Sequence, residues 1–431
     1  MNVPGYFFMR FWNPLNVHKY VRRGIALLAG FVLLFSLAAG LAEEEEVDLG
    51  DLLDVDEIET VRILLPGESL RMTDVKWVTP SDGSPVQCDH ENCYWNLPCG
   101  TWDEEAVWKA LTAPVTVLDI SERKQYKVRK EPDRNCTVYT GEVTGTSQAV
   151  HVLERGEEWT LIEAYSSSVE GSKVKVWAEK FQGYVETSLL KEVQVDQTYG
   201  LVIDKQTQRM YVYKEGKLFT TMLVSTGYYN PNKRNPWNET PAGEFLMVSW
   251  TGELKLKDEE TGELNMRCRK AIRINDGILV HEVPMIPRTN DDGSTTWSYT
   301  RCERYLGEKA SHGCIRVQQK LTPERVNHEW LWDNLSKGDG KGQGFTKVII
   351  WDDKGRSVRY PDDELTLYYD PGYYPGYYHS SPNCIMVKTN PKAFTYGELD
   401  DSEYSKKTAC PYCAPEPRRE DVDTINKKND R

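Results

Sequence analysis

The stretch Ser311-His-Gly-Cys-Ile-Arg316 places a cysteine between a glycine and an apolar residue. A thiol attacks a carbonyl carbon only as the thiolate, and a free cysteine ionises at about pH 8.5, so a nucleophilic cysteine needs an imidazole or backbone dipoles beside it. His312 lies two residues before Cys314, and His281 ends an apolar run that reads as a strand. Gly313 lets a substrate approach the backbone, where N–H groups can stabilise an oxyanion. On residue chemistry alone, a nucleophilic Cys314 and a buried or disulfide-bonded one are equal alternatives.

Short β-type segments surround this stretch from residue 198 to residue 352. A helix is predicted between Thr322 and Leu335, with Pro323 in its first turn. The pattern predicts a mainly β domain with little helix. The predicted strands are Tyr199–Asp204, Arg209–Lys214, Lys217–Val224, Gly243–Val248, Ala271–Ile274 and Lys347–Trp351.

The Ser-His-Gly-Cys-Ile-Arg string, with an upstream histidine in a β-rich segment, resembles the L,D-transpeptidase (YkuD-type) catalytic domain. The resemblance covers about residues 198–352. It also includes Leu201–Asp204, Thr240–Phe245 and Tyr305–Gly307, which follow the family's order. It implies a β-sandwich with a short helix, and an enzyme that remodels peptidoglycan cross-links.

The resemblance assigns a role to each residue of the motif. Cys314 matches the nucleophile and His281 the general base. Ser311, His312 and Gly313 match the shell that shapes the nucleophile and the oxyanion site, although simple packing is an equal alternative for Ser311 and His312. Arg316 stands where the family has Asn or Arg, and we expect it to position substrate.

The implied reaction is cysteine-dependent acyl transfer in two steps. The cysteine attacks a carbonyl of a peptidoglycan tetrapeptide stem, D-Ala leaves, and an amine of a neighbouring stem attacks the thioester to form a 3→3 cross-link. Water as the acceptor would instead make the enzyme an L,D-carboxypeptidase, and a third alternative is a catalytically inactive cell-wall-binding protein. The chemistry needs no metal or organic cofactor. The resemblance also implies a role in cell wall organisation and cell shape, and inhibition by carbapenems.

Two features depart from the family pattern. Glu282 follows the base histidine, where the family often has Gly or Ser. Residues 282–310 form a longer segment than usual between base and nucleophile motif. Because Asn290-Asp-Asp-Gly293 reads as a turn, we expect an enlarged loop over the site.

The N-terminal region predicts export. Residues 1–42 combine four basic residues and no acidic ones with an apolar run over residues 24–42, which reads as a signal peptide or a membrane anchor. Either alternative places the rest of the chain outside the membrane, at the cell wall. Residues 43–59 form an acidic linker. The formal charge of −13 over 431 residues argues against a nucleic-acid partner.

Two further regions precede the β-rich domain. Residues 60–112 contain Cys88, Cys93 and Cys99 and form a Cys-rich subdomain of unknown role. Residues 113–193 contain several short strands, which predict a small barrel. On Val128-Arg129, Trp159 and Gly183-Tyr-Val185 this segment resembles a bacterial SH3-like domain. A peptide-binding barrel and a plain spacer are equal alternatives.

Residues 353–431 form a Tyr/Pro/Gly-rich tail that contains a His/Cys cluster. The spacing of His379, Cys384, Cys410 and Cys413 fits a Cys3His structural zinc site, and two disulfides or a free thiol are the alternative. Ten cysteines minus the nucleophile and three zinc ligands leave six, which can pair fully. Within the catalytic domain we expect a disulfide between Cys268 and Cys302.

Overall fold

The computed structural model describes residues 103–118, 149–165, 180–227, 239–257, 264–275, 278–336, 338, 344–353 and 356–429, together with short strands between residues 69 and 176. The predicted signal peptide or anchor and the acidic linker lie outside the described residues, as do Cys93 and Cys99. In the described part, every helix is too short or too polar to cross a bilayer.

The N-terminal described region consists of a helix, α1 (Glu104–Thr112), and short strands. Its main sheet has the order β1-β11-β8-β7-β4-β12, and a short 3-10 helix spans Thr187–Leu189. The short strands predicted within residues 113–193 are present, whereas the SH3-like assignment stays a prediction. The strands of this region are β1 (Ser69–Leu70), β2 (Trp77–Val78), β3 (Gln87–Cys88), β4 (Val115–Leu118), β5 (Gln125–Val128), β6 (Gly141–Thr144), β7 (Ala149–Glu154), β8 (Trp159–Tyr165), β9 (Val169–Glu170), β10 (Lys175–Val176), β11 (Lys180–Glu186) and β12 (Leu190–Val193).

The next region is a nine-stranded sheet with the order β16-β23-β13-β14-β15-β22-β19-β18-β17. Its strand pairs are antiparallel except β13–β23 and β19–β22, which are parallel. The strands are β13 (Val195–Asp204), β14 (Arg209–Lys214), β15 (Lys217–Ser225), β16 (Gly243–Leu246), β17 (Ser249–Lys257), β18 (Leu264–Asn275), β19 (Ile278–Glu282), β20 (Ile286–Thr289), β21 (Thr295–Ser298), β22 (Ile315–Val317) and β23 (Phe345–Trp351), and β20 and β21 form a separate hairpin.

One hydrophobic core lies between the two halves of this sheet. Leu201 and Ile203 of β13 share it with Val280 of β19 and with Ile315 and Val317 of β22. Because strands from both halves of the strand order bury side chains in the same core, the sheet folds over itself in the manner of a sandwich. This agrees with the mainly β fold that the sequence predicted.

The other face of β13, β14 and β23 is also buried. Val202 and Trp351 pack there against Val107 and Leu111 of α1. Gly200 is required at this contact, since a Cβ atom would lie 2.9 Å from the Leu111 side chain. Burial on both faces explains why these strands are almost continuously apolar. The helix α1 therefore packs directly on the nine-stranded sheet.

Two short helices follow the hairpin, α2 (Thr300–Glu303) and α3 (His328–Asn334). The prediction that α3 begins near Pro323 is wrong. Arg325 has a left-handed φ of +62°, which interrupts a helix, and the side chain of Asn327 accepts a hydrogen bond from the Trp330 N–H, so Asn327 caps the helix that follows.

The C-terminal region has a small aromatic core of its own. Tyr369, Phe394 and Tyr396 are buried in it, and Tyr404 stacks on Phe394 with ring centroids 4.2 Å apart. Its elements are β24 (Thr366–Tyr369), β25 (Tyr377–Tyr378), β26 (Lys392–Thr395), a 3-10 helix (Tyr396–Asp400), β27 (Thr408–Ala409) and α4 (Arg419–Asn429).

Candidate active site

The parallel pair β19–β22 brings the two halves of the predicted site together. In its register Val280 lies beside Ile315 and His281 lies beside Arg316. Val280 and Ile315 point into the core, so His281 and Arg316 point to the opposite side of the sheet. Cys314 directly precedes β22 and has the same parity as Arg316. The nucleophile and base candidates therefore share one face.

The turn before β22 is held by hydrogen bonds to two hydroxyl groups. The Ser311 hydroxyl donates to the Cys314 carbonyl and accepts from the Gly313 N–H, 3.2 Å away. The Thr240 hydroxyl donates to the Gly313 carbonyl at 2.7 Å and accepts from the Gly227 N–H at 2.8 Å. Gly313 itself has a φ of +108°, which residues with a side chain rarely adopt. These contacts fix the backbone on which Cys314 stands.

His281 is buried, with only 2% of its surface exposed. Its Nδ1 lies 2.6 Å from the backbone carbonyl of Glu282. A carbonyl can only accept a hydrogen bond, so Nδ1 carries the proton and Nε2 is left as the basic nitrogen. Burial lowers the pKa of His281 to about 4; the bond to Glu282 opposes this shift, and the positive charge of Arg316 adds to it. The imidazole is therefore neutral and able to accept a proton at pH 7.

Cys314 is half-buried at the end of the turn. Burial raises the pKa of its thiol, while a hydrogen bond from the Leu279 backbone and the charges of Arg316 and Arg273 oppose that rise. The resting pair is thus a neutral thiol and a neutral imidazole. A neutral thiol and a neutral imidazole are compatible with general-base chemistry, in which a thiol loses its proton as it attacks.

Residues 198–350 match the family model of the YkuD L,D-transpeptidase catalytic domain. This segment is an L,D-transpeptidase catalytic domain. The segment contains the Ser311–Arg316 motif, the strand β19 that ends near His281 and the parallel pair β19–β22. The match confirms the family that the sequence predicted.

Solved structures similar to this chain include several L,D-transpeptidases. The enzyme from Mycobacterium smegmatis is 13% identical, over 47% of this chain and 99% of its own, with a TM-score of 0.25. The catalytic domain from E. faecium, acylated by ertapenem, is 20% identical over 36% and 98%, with a TM-score of 0.22. The Xylanimonas cellulosilytica protein is 18% identical over 36% of this chain, which spans 61% of that protein, with a TM-score of 0.23. No curated protein matches the chain.

The transpeptidase domain places the other predicted site residues in different positions. Ser311 and Gly313 lie inside the turn, whereas His312 is exposed. Arg316 is half-buried beside His281. The structure thus shows Ser311 and Gly313 shaping the backbone of the turn, and the substrate role of Arg316 stays a prediction.

Glu282, the departure from the family pattern, is a structural junction. Its buried carboxylate accepts hydrogen bonds from the Arg269 N–H at 2.6 Å, the Tyr299 hydroxyl at 3.1 Å and the Gln319 side-chain amide at 3.3 Å. Tyr299 lies beyond the β20–β21 hairpin, which occupies the enlarged segment. The turn predicted at residues 290–293 is present, since the Gly293 N–H donates to the Asn290 carbonyl at 2.9 Å. Glu282 therefore ties the segment that contains the inserted hairpin to the strand that carries His281.

Two residues near the site were not singled out from the sequence. Thr240 lies in the Thr240–Phe245 segment that resembles the family, but a single threonine in the sequence does not indicate a contact with Gly313. His328 begins α3 and is buried beside His281. Burial and the neighbouring His281 lower the pKa of His328 to about 3. His328 is therefore a neutral neighbour of His281 at pH 7.

The remaining cysteines of the domain, Cys268 and Cys302, are both buried free thiols. The expected disulfide between Cys268 and Cys302 is therefore absent, and that prediction is wrong.

A buried lysine fills an acidic cluster at the end of β13. The ammonium group of Lys205 lies 2.9 Å from Glu239, 2.8 Å from Asp352 and 3.5 Å from Asp353. Burial alone would lower the pKa of Lys205, but Asp352 and Glu239 outweigh it and raise the pKa. The cluster is therefore a network of paired charges, in which the Lys205 ammonium group supplies the positive charge that a metal ion would otherwise supply.

Outside the transpeptidase domain, the four residues predicted as zinc ligands come together. His379, Cys384, Cys410 and Cys413 are all buried, and one candidate ligand atom from each lies within 4.8 Å of the others.

Proposed function

We propose that the protein is a peptidoglycan L,D-transpeptidase that forms 3→3 cross-links through a thioester on Cys314. The observation that carries the proposal is the hydrogen bond from His281 Nδ1 to the Glu282 carbonyl, 2.6 Å long. It fixes the tautomer in which Nε2 is a base, on the face of the sheet that also carries Cys314. The family match over residues 198–350 supplies the substrate class.

The first step acylates the enzyme. His281 Nε2 takes the thiol proton as Cys314 Sγ attacks the carbonyl carbon of the diamino acid in a tetrapeptide stem. Backbone N–H groups of the turn stabilise the oxyanion, and Ser311 and Thr240 keep that turn in shape. The bond to the terminal D-Ala then breaks, the leaving amine takes the proton from His281, and a thioester remains on Cys314.

The second step transfers the acyl group. The side-chain amine of a neighbouring stem attacks the thioester and gives a proton to His281. The carbon–sulfur bond breaks, and the thiolate of Cys314 recovers the proton from His281. We assign substrate positioning to Arg316, because it pairs with His281 in the strand register, its charge acts on His281, and a guanidinium suits a stem carboxylate.

We further propose that the enzyme works at the cell wall and that carbapenems inhibit it. Peptidoglycan lies outside the cytoplasmic membrane, so the enzyme acts at the cell wall after export by its N-terminal segment, which either stays as an anchor or is removed. β-Lactams of the carbapenem class acylate Cys314 in place of the stem peptide. The catalytic steps use only side chains and backbone of this chain.

The test is product analysis with purified disaccharide-tetrapeptide. Wild-type protein should release D-Ala and form 3→3 dimers, and Cys314→Ala and His281→Ala should form none. D-Ala release with only tripeptide product would identify a carboxypeptidase at the same site. An inert wild type that still binds sacculi would support a wall-binding protein and overturn the enzymatic proposal.

A further inference from the structure

We infer that His379, Cys384, Cys410 and Cys413 bind a Zn²⁺ ion, and that this ion holds the C-terminal region against the strand that follows the nucleophile. The inference concerns a part of the chain outside the matched domain and does not depend on the proposed function.

The distances among the four side chains fit a tetrahedral metal site. The sulfur atoms of Cys384 and Cys410 lie 3.7 Å apart, and Cys413 Sγ lies 3.7 Å from His379 Nδ1. Sulfur atoms in a disulfide are about 2.05 Å apart. Two thiolates at the usual Zn–S distance of about 2.3 Å, at a tetrahedral angle, are separated by about 3.8 Å. The spacing is thus that of zinc ligands and not that of a disulfide.

The residues around the cluster support its sulfur atoms. The Tyr412 N–H points to Cys410 Sγ at 3.5 Å, and the Ser380 N–H points to Cys413 Sγ at 3.4 Å. Ala414 has a φ of +44°, which closes the tight turn after Cys413. Backbone N–H groups aimed at sulfur are a usual outer layer of zinc–thiolate sites, because they offset the negative charge of the thiolates.

Without a metal, little would offset the free-energy cost of burying these four side chains together. Three cysteines can form at most one disulfide, which leaves a thiol and an imidazole buried together. His379 is fully buried, and its Nδ1 lies against the sulfur of Cys413, which is only a weak hydrogen-bond partner. Burying an imidazole in this way costs free energy unless the ring is a ligand. A closed set of four protein ligands is also typical of a structural zinc site, whereas catalytic sites keep one position open.

The C-terminal region needs such a clip because its own core is small. Its strands are two to four residues long, and its aromatic core consists of six buried residues. Regions of this size usually depend on a metal, a disulfide or a larger neighbour for stability. The Cys384 and Cys410 ligands stand on either side of β26 and β27, so the ion closes the segment that contains the strands and the 3-10 helix.

The turn that carries two of the ligands contacts the transpeptidase domain. The Gln318 side-chain amide donates to the Tyr412 carbonyl at 3.3 Å, and the Lys320 ammonium lies 5.6 Å from the centre of the Tyr412 ring. Gln318 directly follows β22 and accepts a hydrogen bond from the Leu223 N–H at 2.6 Å. Arg209 adds a buried hydrogen bond to the Pro415 carbonyl at 2.6 Å. The turn therefore braces the end of the strand that begins after Cys314.

The test is metal analysis of the full-length protein, produced with Zn²⁺ in the growth medium. Elemental analysis should show one more equivalent of zinc in the wild type than in Cys384→Ser/Cys410→Ser. The matched control is Cys314→Ser, a cysteine variant outside the cluster, which should keep the wild-type zinc content. Equal zinc contents in all three proteins would overturn the inference.

A second measurement does not depend on the folding of a variant. Wild-type protein prepared with Co²⁺ in place of Zn²⁺ should show the strong visible absorption and sulfur-to-cobalt charge-transfer bands of a tetrahedral thiolate site. Peptide mapping after alkylation of the native zinc form should find Cys384, Cys410 and Cys413 protected. A mapped disulfide between any two of them in the native protein, with no tetrahedral cobalt spectrum, would refute the site. Neither readout requires activity, so failure of the zinc site and failure of the proposed function are distinguishable.

Discussion

Replacing Glu282 by alanine should destabilise the transpeptidase domain more than any exposed acidic substitution. Glu282 is 3% exposed, and its carboxylate is the shared acceptor for Arg269, Tyr299 and Gln319. Its loss leaves the Arg269 backbone N–H without this acceptor and releases the end of the inserted segment from β19. The substitution therefore removes the link between the hairpin and the strand that carries His281.

The magnitude follows from the individual contacts. The 2.6 Å bond from the Arg269 N–H to a charged acceptor contributes about 2 kcal/mol. The bonds from Tyr299 and Gln319, at 3.1 and 3.3 Å, together contribute about 1 kcal/mol. The Arg269 guanidinium is 58% exposed, so its ion pair adds little. Glu282→Ala should thus cost about 3 kcal/mol, or about 6–12 °C in melting temperature, and Glu282→Gln, which keeps an acceptor oxygen, about 1 kcal/mol.

The assay is urea unfolding followed by tryptophan fluorescence, with the wild type, both Glu282 variants and a control. Glu329→Ala is the matched control, because Glu329 also accepts a 2.6 Å hydrogen bond, here from the Lys270 ammonium group, but is 65% exposed. Its effect should stay below about 0.5 kcal/mol. Equal stability losses for Glu282→Ala and Glu329→Ala would refute the role assigned to the buried carboxylate.

Three further outcomes follow from the site. His281 has a pKa of about 4 in the folded protein, below the value of about 6.5 in an unfolded chain. The unfolded state therefore binds an extra proton as pH falls from 6.5 to 4, and the native state should lose about 3 kcal/mol of stability across that window. Urea unfolding of His281→Gln should lack this part of the pH dependence. Thr240→Val should lower kcat/KM for stem peptide at least about tenfold while Thr240→Ser restores it, because the hydroxyl holds the Gly313 carbonyl; unchanged kinetics would contradict that role. Gly313→Ala forces a side chain onto a φ of +108°, at a cost of about 1–3 kcal/mol, and should slow acylation of Cys314 in stopped-flow measurements.

The sequence predicted the parts of the domain that depend on local pattern. Alternating or continuously apolar segments marked β13, β14 and β23, and their positions agree with the structure. The spacing of two residues between Cys314 and Arg316 is also visible in the sequence, and it gives them the same parity where β22 begins. The spacing of His379, Cys384, Cys410 and Cys413 likewise pointed to a cluster, because metal ligands recur at short, regular intervals.

Features that depend on contacts between distant segments could not be predicted. Lys205 meets Glu239 and Asp352 only after the sheet has formed, and no local pattern links them. The packing of α1 on β13 also joins segments that are far apart in the sequence. A glycine at position 200 does not by itself indicate that Leu111 packs against it.

The start of α3 was misplaced for a different reason. Pro323 is typical of a first helical turn, but Arg325 and Asn327 delay the helix to His328. The position of the cap decided the outcome, and the sequence signal of the proline was the weaker of the two.

The most direct test of the central claim is the intact mass of the folded protein after incubation with meropenem, with Cys314→Ala alongside. A nucleophilic Cys314 predicts one adduct on the wild type and none on Cys314→Ala. His281→Ala should form the same adduct far more slowly, because the thiol then lacks its base. An adduct of equal yield on Cys314→Ala, or none on folded wild-type protein, would contradict the assignment of Cys314 as the nucleophile.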